Sequence, residues 1–175
     1  VKSTEMPEVH WIAVTAGAYD LPNNTKLIAG SVDYDKALIG SNSPYTSVTL
    51  PLDNKVVLNQ IQTQNNNCWF TSTSTSSGSE LQLALDTSEV YSSGQCQPGN
   101  LNNNPIQNET IGYLVLESGN GTMTLNGVDT NYHFGQAQTF TDSGTKDVSE
   151  QCRYTTPLIG FKGAPILVAG KNSRL

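Results

Sequence analysis

The residues able to do chemistry are few and widely spaced in this chain. His10 and His133 are its only histidines, and neither has Cys, Asp or Glu at metal-ligand spacing, so no structural zinc site is expected. Asp33 and Asp35 flank Tyr34 and offer two oxygens to calcium, but the loop lacks the denser acidic spacing of a dedicated site. Two carboxylate pairs have the residue types to act across a glycosidic bond, Glu109 with Glu117 and Asp86 with Glu89. The first pair sits at opposite ends of one expected strand, eight residues apart at about 3.3 Å each, which is too far for joint action. The second lies at a strand end, where acidic side chains normally face water. No Gly-x-Ser-x-Gly, Cys–His pairing or phosphate loop is present. The expectation is a protein that binds or builds rather than catalyses, with no cofactor and no metal.

Stacking chemistry remains. Trp69, Tyr91, Tyr132 and His133 are the ring side chains expected to reach solvent, and a flat ring is what the apolar face of a pyranose packs on. Trp69 stands out because of the hairpin expected from Cys68 to Thr87. A two-residue turn at Ser77-Gly78 makes Leu81, Leu83 and Leu85 face Ser74, Ser72 and Phe70 toward the core. Trp69 is then opposite Asp86 on the wetter face, where the carboxylate accepts hydroxyl hydrogen bonds; a one-residue slip would bury the indole. The long polar loop from Val90 to Asn108, which carries Tyr91, leaves the same end of the hairpin. Trp69, Asp86 and Tyr91 are therefore the candidate carbohydrate-binding residues. Cys68 lies at the hairpin's open end and Cys96 in that loop, so Cys68–Cys96 is the expected bridge, with Cys152 joined to neither.

The elements that must position these residues read as strands. Glu109–Gly119 contains the longest apolar run, Ile111 to Leu116, which is β-branched and aromatic rather than alternating and suits a strand covered on both faces. His10 to Thr15 reads as a first strand, Gly17 to Thr25 as turn-rich, and Lys26 to Gly30 as a second apolar piece. Tyr45 to Leu52 and Lys55 to Thr63 read as two strands joined across Pro51 to Asn54. Thr122 to Leu125 and Asn131 to Phe140 are short strand candidates. No segment keeps a helical period, so the expected class is all-β, an antiparallel sandwich in a single domain over 1–175.

Composition narrows the partners. With 15 acidic against 9 basic residues and a formal charge of −6, counterion release from a phosphate backbone supplies no affinity, and nucleic acid is not an expected partner. No run approaches the roughly 18 apolar residues of a membrane span, and the N-terminus lacks the blocks of a signal peptide, so the piece reads as mature and soluble. Sparse charge with abundant Asn, Ser, Thr and Gly points to an extracellular or cell-surface protein.

The chain also repeats itself. Trp11–Gly17 aligns with Tyr113–Gly119 at an offset of 102 (113 minus 11), and Tyr154-Thr155 with Pro165–Val168 aligns with Tyr45-Thr46 and Val56–Asn59 at an offset of 109 (154 minus 45). The first echo copies the end of a unit and the second its beginning. On this reading 18–119 is a whole unit, and 1–17 and 120–175 are parts of flanking ones. Unpaired edges then have to be completed, by the chain's own strands, by strand exchange with other copies, or by flanking modules of a longer protein. Completion within the chain is the expected arrangement, which places Trp11 to Val14 in a sheet with strands of its own chain.

Lys55–Thr63, Cys68-Trp69 and Glu109–Glu117 together resemble the H-type lectin-like β-sandwich, in the version repeated in bacterial surface and pilus-biogenesis proteins of the MshQ kind. The resemblance covers Tyr45 to Gly119 best. It implies a sandwich of six or more strands, displayed on a cell surface and used in adhesion or sugar binding, with glycans or cell-surface receptors as partners. It supplies no sugar pocket residue by residue, and Gly78-Ser-Glu-Leu81 stands where those modules carry a glycine-phenylalanine step. A second function from another class fits the same strands: a structural subunit of a filament or pilus that assembles head to tail.

Overall fold

The longest apolar run does become an interior strand, and the rest of the architecture is built outward from it. A computed structural model describes residues 11–38, 44–53, 55–68, 70–87, 105–136, 158 and 160–170. Among the described residues ten strands run in chain order: β1 (Gly17–Asp20), β2 (Lys26–Tyr34), β3 (Ala37–Leu38), β4 (Thr46–Thr49), β5 (Lys55–Ile61), β6 (Thr71–Ser77), β7 (Glu80–Asp86), β8 (Glu109–Glu117), β9 (Gly119–Leu125) and β10 (Val128–Phe134). Among the described residues there is no helix, and none therefore is long and apolar enough to cross a membrane.

The first sheet has the order β1-β2-β8-β5, antiparallel throughout, with β8 flanked on both sides. Its register lines up Ile28, Val115 and Val57 in one row and Val32, Ile111 and Ile61 in another, four residues along. Alternation sends both rows to the same face. That face meets the second sheet, in which β7 is the axis: β6 runs along one edge, and β4 and β3 share the other. Leu81, Leu83 and Leu85 of β7 join Val57, Ile111 and Val115 in one core with Ala37, Leu50 and Leu52. Two sheets sharing a core in this way make the arrangement sandwich-like. Antiparallel pairing is broken at one place, since β3 pairs parallel with β7. β4 and β5, expected as neighbours in sequence, enter different sheets, so the turn at Pro51 to Asp53 carries the chain from one layer to the other.

The β6–β7 hairpin differs from expectation by two positions. Its loop is Gly78-Ser79, with Ser77 opposite Glu80, because Gly78 takes the positive φ (52°) at the first loop position. A shift of two keeps every side chain on its face. The three leucines therefore still point to the core, now opposite Ser76, Ser74 and Ser72. Asp86 moves opposite Thr71 rather than Trp69.

The first strand is also displaced. Residues 11–15 belong to no strand, and β1 begins at Gly17, inside the stretch expected to be turn. The reason is the β1–β2 hairpin, closed by a loop in which Asn24 adopts φ 63° and Leu21 and Thr25 share a backbone bond of 2.9 Å. Trp11 to Val14 thus does not complete a sheet of its own chain. After β8, β9 and β10 form a separate two-stranded sheet whose Asn126-Gly127 turn has positive φ at both residues (52° and 79°).

Two buried polar groups lock the layers. Glu109, 2 % exposed, accepts from the Thr63 hydroxyl at 2.6 Å, from the Asn65 and Asn66 amides at 2.8 and 3.0 Å, and from Asn66 Nδ2 at 2.7 Å. The Lys55 ammonium, also buried, donates to the Leu52 carbonyl at 2.7 Å and to that of Gly78, pinning the start of β5 to the β6–β7 turn. Both groups are charged yet held by the neutral ends of loops, which satisfies them without an ion pair.

Cys68 is half-buried against the core and takes part in a disulfide. Cys96 and Cys152 lie outside the described residues, so the Cys68–Cys96 pairing is a proposal. Peptide mapping without reduction checks it: a Cys68–Cys96 linked peptide is expected, and a Cys68–Cys152 peptide would overturn it. In the chain-entropy model a loop of this size, with 28 residue steps from Cys68 to Cys96, stabilises by roughly 3 to 4 kcal/mol.

Candidate functional site

Alternation along β2, β8 and β5 sends one set of side chains inward and leaves the other on the outer face of the first sheet. Read across the three strands, the outer rows are Leu27, Leu116 and Val56, then Ala29, Leu114 and Leu58, then Ser31, Gly112 and Gln60. The next row holds Asp33 and Thr110, joined by a 2.6 Å hydrogen bond, with the Gln62 amide bonded to the Thr110 carbonyl at 2.8 Å. The face thus changes from apolar to polar between the second and third rows, a step of about 7 Å along the strands.

A cleft of about 620 Å³ lies over this change. Trp11 to Val14 and Ala16 wall it on one side and Val168 to Gly170 on the other, while Ala29, Ser31, Leu58, Gln60, Gln62, Gly112 and Leu114 contribute to its floor. Gly112 makes the floor low. Without a side chain at this position, the Gln62 carboxamide lies across it, 3.1 Å from where a Cβ would be. Gly30 performs the matching task on the inner face, where a Cβ would collide with the Tyr113 ring. Gln60 and Gln62 are exposed, and Trp11 presents an indole that is 77 % exposed at the wall.

Among the described residues none that lines this cleft carries a charge. It has amide and hydroxyl groups that both donate and accept, an apolar row beside them, and a ring at the edge. Such a surface suits a neutral ligand with one apolar face and several hydroxyls. Among the described residues no group of three His, Cys, Asp or Glu side chains is placed to hold a metal ion.

The residues singled out from the sequence are not assembled here. Trp69 and Tyr91 lie outside the described residues. Asp86 is 1 % exposed, so the expectation that it faces solvent as a sugar acceptor is corrected. The face of β7 opposite the leucines is itself closed to solvent, since Thr73 and Ala84, a facing pair on that side, are fully buried as well. Glu109 and Glu117, discounted as a catalytic pair, stand at the two ends of β8 and have separate partners. Glu109 holds the loop at 63–66, and Glu117 accepts from the Lys26 amide at 2.8 Å.

Burial pushes the Glu109 carboxyl up, but the bonds from Thr63, Asn66 and the two backbone amides together outweigh it. The group is held below the ordinary glutamate range. A carboxylate that accepts four hydrogen bonds from its own chain, three on Oε1 and one on Oε2, is a structural anchor.

Gln60 and Gln62 went unremarked as ligand-facing residues, although the signal was present. In Lys55–Gln62 the outward positions run Val, Leu, Gln, Gln, so the strand announces where its outer face turns polar. Trp11 was assigned to a strand, which hid its exposure. Comparison with known proteins returns nothing that matches this chain: no family model, no curated protein and no solved structure.

Proposed function

We propose that this chain is a non-catalytic extracellular adhesion module of the H-type lectin-like kind, binding neutral carbohydrate in the cleft over the outer face of β2, β8 and β5. The observation that carries the reading is the uncharged, half-apolar floor beside an exposed indole. A pyranose has the same division, with C–H faces that stack on a ring or an aliphatic row and hydroxyls that need partners able to donate and accept. The absence of charge along the lining favours a neutral sugar over an acidic one. A glycan array tests the reading. The wild-type chain is expected to bind one class of neutral glycan, and Gln60→Ala with Gln62→Ala is expected to weaken it by about tenfold or more, since two lost hydrogen bonds are worth about 1 to 3 kcal/mol. Both positions are exposed, so the melting temperature should hardly move. Binding unchanged in the double variant would overturn the site, and no glycan bound at all would overturn the function.

A second reading has its own observation. Among the described residues, five of the nine exposed large apolar side chains fall in two short pieces, Trp11, Ile12 and Val14 in one and Ile166 and Leu167 in the other. Concentrated apolar exposure of this kind marks a surface for association, which supports a structural subunit that assembles with copies of itself. Analytical ultracentrifugation over a concentration series separates this reading from a monomeric module.

A further inference from the structure

The two exposed apolar pieces are the same two pieces in which the chain echoes itself, and the structure gives the echo a meaning that the sequence lacked. Trp11–Gly17 copies the second half of β8 and its exit, while Pro165–Val168 copies β5 from Val56 to Asn59. β8 and β5 are neighbours, paired antiparallel with Val56 opposite Leu116, Val57 opposite Val115, Leu58 opposite Leu114 and Asn59 opposite Tyr113. A β8-like segment and a β5-like segment are therefore complementary to each other, and one chain carries both.

Carrying that register across the two offsets sets Val14 opposite Pro165, Ala13 opposite Ile166, Ile12 opposite Leu167 and Trp11 opposite Val168. Each pair is apolar on both sides, as are the first three pairs of the original, and Val168 stands where the original has Asn59. Pro165 falls at the start of its piece, where the missing N–H is tolerated.

In the molecule itself the two pieces are not paired. Neither 11–15 nor 164–170 belongs to a strand, and no backbone hydrogen bond among the described residues joins them. Their anchors keep them apart. The first runs into β1, at the β2 edge of the sheet, while the second rests on β5, where a Cβ at Gly170 would lie 3.4 Å from Leu58. β2 and β5 are separated by β8, two strand spacings or about 10 Å, whereas a ladder needs about 4.8 Å. Closure within one chain would have to break one anchor. A second copy offers the missing strand without that cost, and it covers side chains otherwise 77 % (Trp11), 53 % (Ile12), 78 % (Ile166) and 66 % (Leu167) exposed.

We infer that Trp11–Val14 of one copy pairs with Pro165–Val168 of another in the register of β8 with β5. The contact is heterologous, so it builds rings or open chains of copies rather than isologous dimers, except where two copies exchange both pieces. This inference rests on the second reading above, and it competes with the carbohydrate site, since Trp11, Ile12, Ala13, Val14 and Val168 belong to both surfaces.

Mixing two single-cysteine variants tests it. Ala13→Cys copies and Ile166→Cys copies, combined under mild oxidation, are expected to give a dimer in which peptide mapping finds Cys at 13 joined to Cys at 166. Directly opposed positions of an antiparallel pair have the Cα separation a disulfide needs. Ala13→Cys with Leu167→Cys, one residue out of register, is expected to lose most of that product, and wild type mixed with itself controls for the native cysteines. Ile166→Asp is expected to abolish association without lowering the melting temperature. Association by ultracentrifugation without the 13–166 link would overturn the register and leave the assembly reading standing. A chain that stays monomeric at all concentrations would overturn both, and a link formed within single chains of the Ala13→Cys, Ile166→Cys double variant would replace the second copy by closure on itself.

Discussion

Glu109→Ala is expected to lose roughly 3–5 kcal/mol of stability, more than any other single change in the first sheet, because buried donors without an acceptor cost about 1–3 kcal/mol each and water reaches only some of them. The Thr63 hydroxyl, two backbone amides and Asn66 Nδ2 all end on this one carboxylate. The loop they belong to is stitched to the segment leading into β8 by further bonds, Gln107 N to Asn66 Oδ1 at 2.9 Å and Asn66 Nδ2 to the Gln107 carbonyl at 2.9 Å. Removing the carboxylate takes away four of the bonds that hold the connection from β5 towards β6 and leaves those to Gln107. Glu109→Gln is milder, since one oxygen remains, at roughly 1–2 kcal/mol.

The pH dependence has a definite sign. The folded pKa lies below the unfolded value, so the contribution is fully present above the ordinary glutamate value of about 4.3 and is lost as the pH falls through the depressed folded value. Denaturant melts of wild type and Glu109→Gln should differ most near neutrality and converge in acid. A gap that stays constant from neutral pH to below pH 4 would show that the charge on Glu109 contributes nothing.

The second large effect is expected at Leu83→Ala. Leu83 is fully buried at the middle of β7, in the core that both sheets share. Truncating a leucine at such a site costs about 2–5 kcal/mol, depending on how far the cavity collapses. For a chain of this length that corresponds to a fall of roughly 5–15 °C in melting temperature. Leu125, 43 % exposed on β9, is the control, and Leu125→Ala should change stability by less than about 0.5 kcal/mol. Equal, small effects at the two positions would mean that β7 does not face a common core.

The difference between Leu83 and Asp86 shows what was legible in the sequence. Alternation in Leu81-Gln-Leu-Ala-Leu85 places the leucines inward whatever the turn, and the two-residue error in register left that untouched. The solvation of the opposite face depends on what packs beyond β7, and a strand's own residues say nothing about that, so Asp86 was placed in water when it is buried. β8 was legible because an unalternating apolar run has few other uses. Its flanking partners β2 and β5 were legible as strands but not as its neighbours, since β5 follows β4 in the chain and joins a different sheet. Glu109 gave no sign of its role: a carboxylate at a strand end normally faces water, and only the loop that returns from β5 supplies the donors that bury it. Asn126-Gly127 is the opposite case, a plain hairpin signal between two apolar positions that defines β9 and β10 and could have been read directly.

The central claim is that the outer face of β2, β8 and β5 binds a neutral sugar, and a crystal soaked with the best glycan from the array tests it most directly. The account predicts a pyranose in the cleft with hydroxyls within hydrogen-bond reach of Gln60 and Gln62 and an apolar face against Trp11 or the row Ala29, Leu114 and Leu58. A glycan bound anywhere else, or a cleft filled in the same crystal by residues 11–14 paired with 165–168 of a neighbouring copy, would contradict it.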